Sequence, residues 1–300
     1  LVYPNQRWHK DDPNTVWNLN PYTACLLGAM VKDEVQVKII DAQFYNLSLD
    51  DFIAQVTDYH PDYVGISILA TEYSEILGIT AAAIKQKDPS VVIIAGGVHV
   101  TMEYRRVMED PNIDYAVRGE GEYVLRDLLR FLQNLGPLPK EGLVYRKDGE
   151  LVVLEQAFVQ DLTRLPQADY SLVKMEDYVI SGLRAGPIRP PAFPYVPMIV
   201  TRGCPFGCSF CQVESISGRK VRARDPRDVV DELVFLKENY GIKSIVFEDD
   251  NIIMARSFFI ELLKLMIDRQ LNLKFVIGAF AIFLLTDEIL ELMVQAGCVG

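Results

Sequence analysis

Positive charge is scarce in this chain: 30 Lys and Arg face 41 Asp and Glu, for a formal net charge of −11. That balance argues against nucleic acid or an anionic membrane surface as a partner, because both need concentrated Lys and Arg. The one basic cluster, Arg219, Lys220, Arg222 and Arg224, reads as a solvated loop that pairs with surplus carboxylates. No apolar run approaches the roughly 20 residues needed to span a bilayer. No charged-then-apolar export signal opens the chain, so no membrane partner is expected and the location reads as cytoplasmic. Histidine is rarer still, with only His9, His60 and His99. Five cysteines are an odd number for a disulfide framework. Three of them, Cys204, Cys208 and Cys211, lie within eight positions, while Cys25 and Cys298 stand alone. Clustered ligation fits that spacing better than disulfides. No tandem repeat or low-complexity tract occurs.

What is present is a regular alternation of short β-branched runs with longer segments of helical period, the signature of parallel α/β structure. The 300 residues suffice for two ordinary domains. The first, residues 1–136, reads as flavodoxin-like (Rossmann-type), with strands at Leu1–Tyr3, Val35–Ile40, Tyr63–Ile68, Val91–Ala95 and Tyr115–Val117. Its helices are expected at Tyr22–Val31, Leu49–Tyr59, Glu72–Lys87, Met102–Glu109 and Glu122–Asn134. Residues 137–196 read as a connection: a hairpin turning at Asp148-Gly149, then a linker. Pro187, Pro190, Pro191, Pro194 and Pro197 exclude a central strand or long helix from that linker. Residues 197–300 resume the alternation. They hold a helix capped by Asp225 ahead of Pro226, strand Ser244–Phe247, helix Ser257–Arg269 and strand Lys274–Ile277. This is the first half of a (β/α) barrel, incomplete in this chain. The final helix, Thr286–Ala296, runs into Cys298 without an evident cap and the first residue is Leu, so the chain reads as a fragment.

Thr201-Arg-Gly-Cys204-Pro-Phe-Gly-Cys208-Ser-Phe-Cys211 sets three thiols in a glycine-containing loop directly after a buried strand. A cubane iron–sulfur cluster normally takes four thiolates, so three ligands leave one iron open to an external group. A zinc knuckle would need a fourth Cys or His nearby, and none is close in sequence. Packed core thiols are disfavoured because Pro205 and Gly207 mark a loop. Downstream, Glu248, Asp249 and Asp250 emerge at a strand end, where ligand contacts of parallel sheets concentrate. The same carboxylates suit an acidic helix cap.

The Cys-x3-Cys-x2-Cys spacing, with Phe210 before the last Cys, resembles the radical S-adenosylmethionine (SAM) superfamily. The resemblance implies a [4Fe–4S] cluster on Cys204, Cys208 and Cys211, SAM on the open iron, and Phe210 against its adenine. Glu248, Asp249 and Asp250 become candidates for holding the SAM amino group. The run Val276–Leu285 departs from relatives that carry a polar Asn-Gly and an Arg there.

In the first domain, the third strand lacks the Asp of a phosphoryl receiver. Ser67-Ile68-Leu69 and Gly96-Gly97 resemble cobalamin-binding domains, where small residues make room for the nucleotide tail. The segments Gly96–Thr101 and Arg118–Glu122 resemble the version fused to radical SAM barrels, a likeness that covers nearly the whole chain. It implies Asn20, Ser67, Leu69, Gly96, Gly97, His99, Thr101, Gly119 and Glu120 as cobalamin contacts. Glu120 and Glu122 also suit the start of the helix that follows. The Asp-x-His-x-x-Gly of many cobalamin domains is replaced by Asn18-Leu-Asn20-Pro-Tyr-Thr23, so no histidine is expected below the cobalt and Asn20 stands near it. His9 reads as a solvated loop residue.

Together the resemblances imply an enzyme, a cobalamin-dependent radical SAM methyltransferase acting on an unactivated carbon or phosphorus centre of a small molecule or peptide. An electron donor such as flavodoxin or ferredoxin is expected. The alternatives are a cyclase, ring-contracting or oxidising enzyme with the same cofactors and no net methyl transfer, or a non-catalytic cobalamin carrier. No general acid or base is assigned.

Overall fold

Strand–helix–strand repeats with strands apolar on both faces must form a parallel sheet covered by helices on each side. The computed structural model describes residues 1–9, 21–180 and 188–300. In its first compact unit, β1 (Val2–Tyr3), α1 (Tyr22–Val31), β2 (Ile40–Asp41) and α2 (Leu49–Tyr59) come first. β3 (Tyr63–Ser67), α3 (Ser74–Lys87), β4 (Val92–Gly96), α4 (Val98–Val107), β5 (Tyr115–Val117) and α5 (Glu122–Leu132) complete the repeat. The parallel strands run in the order β2-β1-β3-β4-β5. Their winding reverses between β1 and β3, the place where such sheets bind ligands at their carboxyl ends. Ile66, Ile93 and Ala95 pack with Phe52, Leu77 and Ile84 on one face. Ile94 and Val117 pack with Leu125 and Leu128 on the other.

Three details differ from the sequence expectation. β2 pairs only at Ile40 and Asp41, instead of from Val35, because β1 offers it just Val2 and Tyr3. α4 starts at Val98, four residues early, since the positive φ of Gly97 turns the chain from β4 straight into the helix. The hairpin β6 (Leu143–Lys147) and β7 (Glu150–Val153) does turn at Asp148-Gly149, both with positive φ. It belongs to the first unit and not to the connection expected at 137–196: β6 pairs antiparallel with β5 and extends the sheet. Arg146 fastens it further, donating to the carbonyls of Met108, Asp110 and Ile113. The first unit therefore runs to Val159, not to residue 136.

The second unit, residues 160–300, contains α6 (Met175–Ile180), β8 (Tyr195–Met198), β9 (Thr201–Arg202), α7 (Val213–Ser217) and β10 (Arg222–Ala223). α8 (Pro226–Tyr240), β11 (Ser244–Phe247), α9 (Arg256–Asp268), β12 (Lys274–Ile277) and α10 (Asp287–Ala296) follow. β12, β11 and β8 form a parallel sheet in that order, the start of a barrel. Ser244–Phe247 is buried throughout, and Phe247 meets Phe275 edge to face at 5.6 Å. The expected linker ends earlier than residue 196, because Pro197 lies inside β8. That strand is at the sheet edge among the described residues, where a missing N–H is tolerated. Asp225 caps α8 through the Arg227 amide with Pro226 in the first turn. α10 does have a cap, Gly297 in left-handed conformation. No helix among the described residues is long and apolar enough to cross a membrane.

Candidate functional site

The first unit carries a small cavity at the carboxyl ends of β1, β2 and β3, lined among others by Tyr3, Gln6, Asp41, Gln43, Ser67, Leu69 and Tyr73. Tyr3 is buried and its hydroxyl accepts the Ala24 amide at 3.1 Å. Burial first, then the neighbouring Asp41 carboxylate, holds its phenol well above the ordinary tyrosine range. Gln43 is 4% exposed, and its Oε1 accepts the Gln6 amide at 2.8 Å. Its Nε2 and the Oε1 of Gln6 have no hydrogen-bond partner among the described residues. Buried amide atoms of this kind normally find a partner, and both residues line the cavity. Ser67 and Leu69, expected from the Ser-x-Leu pattern, line this cavity. Tyr3, Gln6, Asp41 and Gln43 line it too and were not expected, although the switch point of a doubly wound sheet predicts contacts from the ends of β1 and β2.

The expected contacts at the ends of β4 and β5 have structural partners of their own. A Cβ on Gly97 would collide with the carbonyl of Ile68, whereas one on Gly96 would meet nothing nearer than Val117 at 4.0 Å. The two glycines therefore differ: Gly97 is demanded by the fold itself, and only Gly96 is open to a ligand argument. His99 is buried in the first turn of α4, not extended, with Nδ1 paired to Thr71 Oγ1 at 3.2 Å. Burial lowers its pKa, so it favours the neutral ring. Thr101 Oγ1 donates to the Gly97 carbonyl and accepts the Gly119 amide, both at 3.0 Å. Glu120 accepts the Val159 amide at 2.6 Å. This group shapes the loops around the strand ends. Asn20 lies outside the described residues. His9 is exposed and paired with Glu75 at 2.5 Å.

In the second unit, the antiparallel pair β9–β10 closes the neck of the cysteine loop, matching Arg202 to Arg222 and Thr201 to Ala223. Gly203, at φ 90, passes against the Lys220 backbone with no room for a Cβ. The Cys204 amide then donates to Gly218 O at 3.1 Å. The basic cluster divides: Arg219 and Lys220 are exposed as expected from sequence, with Arg219 paired to Glu214 at 2.7 Å, and the other two are not solvated. Arg222 is buried and donates to the Ser217 and Lys220 carbonyls. Arg224 forms a buried pair with Glu232 at 2.6 Å. These arginines secure the return path of the loop.

The strand-end carboxylates divide in role. Asp249 is buried, and its Oδ1 accepts the Val200 amide at 2.9 Å, the Thr201 hydroxyl at 2.7 Å and the Thr201 amide. Asp250 Oδ2 accepts the Gly203 amide at 3.0 Å. Both grip the base of the cysteine loop, each through one carboxylate oxygen. Glu248 is the half-buried carboxylate that remains. Burial, then the adjacent Asp249, pushes its pKa up to about 7. Phe210 is 87% exposed, an aromatic face with room for a planar partner. Phe206 packs edge to face with Phe283 at 5.6 Å, so the apolar run after β12 meets the cysteine loop directly.

Cys204 is half-buried, and Cys208 and Cys211 are exposed; none is in a disulfide. They are not gathered around one point, for no group of three metal-ligating side chains is assembled among the described residues. The donor set nonetheless suits an iron–sulfur cluster: three free thiols on one short loop, anchored at Cys204. The cavity of the first unit suits a ligand rich in amides, since two of its lining residues, Gln6 and Gln43, each carry an orphaned amide atom.

Residues 18–129 match the B12 binding domain family, and residues 198–300 match the radical SAM superfamily. An uncharacterized methyltransferase of Pyrococcus horikoshii is 27% identical, over 93% of this chain and 59% of its own length. An anaerobic magnesium-protoporphyrin IX monomethyl ester cyclase of Rubrivivax gelatinosus is 29% identical, over 100% of this chain and 53% of its own. The chain thus spans about half the length of these relatives. Among solved structures, the cobalamin-dependent SAM radical enzyme OxsB, with aqua-cobalamin and SAM bound, superimposes at a TM-score of 0.77. It is 21% identical, over 99% of this chain and 42% of its own, and so supports the fold.

Proposed function

The chain belongs to the radical SAM enzymes that carry a B12-binding domain, and from that premise we propose that it is part of a cobalamin-dependent radical SAM methyltransferase. The observation that carries the proposal is one continuous loop of three free thiols, anchored by Asp249 and Asp250, in the same chain as a doubly wound unit with a cavity at its switch point. When bound, the cluster with SAM supplies a 5′-deoxyadenosyl radical, and cobalamin supplies a methyl group. Cys204, Cys208 and Cys211 hold the cluster. Glu248 receives the SAM ammonium, for which an ionised, half-buried carboxylate is the complement. Phe210 covers the adenine. Ser67, Leu69 and Gly96 border the cobalamin tail, and Gln6 and Gln43 bond its polar groups. His99, Thr101, Gly119 and Glu120 hold the loops around it.

The substrate is a small molecule or peptide with an unactivated carbon or phosphorus centre. A low-potential one-electron donor such as flavodoxin or ferredoxin serves the cluster. A reducing, cytoplasmic setting suits the three free thiols. The likeness to a cyclase favours a second reading, ring formation on the same cofactors without net methyl transfer.

Anaerobic reconstitution with iron, sulfide and hydroxocobalamin, followed by metal analysis and electron paramagnetic resonance, tests the proposal. Bound cobalt together with a reducible cluster signal that changes on adding SAM is the expected result. Cobalt without a SAM-responsive cluster indicates a carrier. Products formed with methyl-deuterated SAM separate the enzymatic readings: methyl transfer carries the label into product, and cyclisation does not.

A further inference from the structure

Three successive residues after β11 grip three successive stretches of the cysteine loop. Asp249 holds Val200 and Thr201, Asp250 holds Gly203, and Asn251 reaches Cys204 itself. Asn251 is buried at 4% exposure, its Nδ2 donates to Cys204 Sγ at 3.9 Å, and its Oδ1 accepts the Ala281 amide at 3.3 Å. The second bond orients the first. With the carbonyl end of the amide committed to Ala281, the N–H end must face the sulfur. Ala281 lies in the turn after β12, so the side chain ties the cysteine loop to the next strand end.

We propose that Asn251 is a positioning residue that sets the reduction potential of the cluster through its hydrogen bond to the Cys204 sulfur. The inference rests on the cluster reading above. Reduction of [4Fe–4S]2+ to [4Fe–4S]1+ by a low-potential one-electron donor adds negative charge to the iron–sulfur core and its thiolates. An N–H aimed at one thiolate stabilises that added charge, and hydrogen bonds to the sulfurs are among the determinants of cluster potential. The donor therefore favours the reduced form. Burial strengthens the effect, because few water dipoles compete with a side chain that is barely exposed. Cys204 is the thiol through which this works, since the backbone leading into it is held twice, by Gly218 at its own amide and by Asp250 at the amide of Gly203. Cys208 and Cys211, both exposed, have no comparable donor among the described hydrogen bonds.

The test compares the reconstituted wild-type chain with Asn251→Leu, which keeps the side-chain volume and removes the donor. Iron per chain is measured first. Dithionite titration is then followed by electron paramagnetic resonance, with electron spin echo modulation in deuterated water to detect exchangeable deuterons near the cluster. The expected result is unchanged iron, loss of one deuteron coupling, and a lower midpoint. At the potential where half the wild-type cluster is reduced, the variant's ratio of reduced to oxidised cluster falls by roughly threefold or more. Unchanged iron with an unchanged midpoint overturns the inference and leaves the cluster reading intact. Failure of the wild-type chain to take up iron overturns the cluster reading, and the inference with it. If Asn251→Leu loses iron, Asn251→Asp decides: it retains the acceptor for Ala281 and lacks the donor. An Asn251→Asp midpoint equal to wild type overturns the inference, and a lowered one with the deuteron coupling lost supports it.

Discussion

Asp250 and Cys204 are joined through a single peptide: the carboxylate takes the Gly203 amide at 3.0 Å, and the next residue is the first thiol of the loop. The carboxylate thus controls where the half-buried end of the loop begins, while among the described hydrogen bonds none joins a carboxylate to the two exposed thiols after it. Asp250→Ala is expected to lower cluster retention more than cluster loading. Iron per chain directly after reconstitution should stay near wild type, and the half-life of the visible cluster absorbance under a chelator should fall several-fold. An unchanged half-life refutes the anchoring role.

Single replacements of Cys204, Cys208 or Cys211 by Ala are expected to abolish the reducible cluster while leaving cobalamin binding within about twofold, because the first unit has its own core and sheet. Iron analysis and cobalamin titration on the same samples check both halves of the statement. Full iron in any one variant removes that cysteine from the ligand set.

Gly96 and Gly97 are adjacent, and the structure separates them. Gly97→Ala forces a Cβ into the Ile68 carbonyl at φ 98, so it should destabilise the first unit by about 2 kcal/mol or more. Gly96→Ala meets only an ordinary contact with Val117 at 4.0 Å and should leave denaturant midpoints nearly unchanged. Any loss of cobalamin affinity in Gly96→Ala then reports on the ligand. Equal destabilisation by both variants contradicts this reading of the strand end.

Gln43→Leu removes the orphaned donor and the acceptor of the Gln6 amide without enlarging the cavity. Cobalamin affinity is expected to weaken roughly tenfold, the cost of about one hydrogen bond in a buried site. Equilibrium titration of the cobalt-free chain, read by absorbance, measures it. An unchanged affinity means that the tail does not reach this cavity.

Glu248 gives a pH signature. Its pKa is raised by burial and by Asp249 to about 7, so the folded chain keeps a proton that the unfolded chain releases at its ordinary value near 4.5. Its contribution to stability is therefore full below that ordinary value and lost as pH rises through about 7. Glu248→Gln should reduce the slope of that part of the stability profile in denaturant titrations, with the remainder kept by Asp249, which burial also raises to about 7. SAM affinity has the opposite slope, strengthening toward neutral pH as the carboxylate ionises to meet an ammonium. A SAM affinity independent of pH in the wild-type chain excludes Glu248 as that partner.

Much of this was legible in the sequence, for physical reasons that can be named. Alternating runs such as Tyr63–Ile68 and Tyr115–Val117 become strands because they pair and bury locally. Asp148-Gly149 turns the hairpin because both residues accept positive φ. The spacing of Cys204, Cys208 and Cys211 is local as well, and a loop motif needs no tertiary information to be recognised.

What the tertiary structure alone decided concerns partners distant in sequence. The hairpin belongs to the first sheet because β6 finds β5 and Arg146 finds the carbonyls before it. Asp249 and Asp250 anchor the cysteine loop because β11 lies beside β8, which brings residues almost fifty positions apart within a hydrogen bond. The same adjacency puts Asn251 against the Cys204 sulfur, and the meeting of β1, β2 and β3 ends puts Gln43 against Gln6. A motif records which atoms are available. Which of them remain free for a ligand depends on what the folded chain has already bonded, and that follows from strand order, which no local pattern encodes.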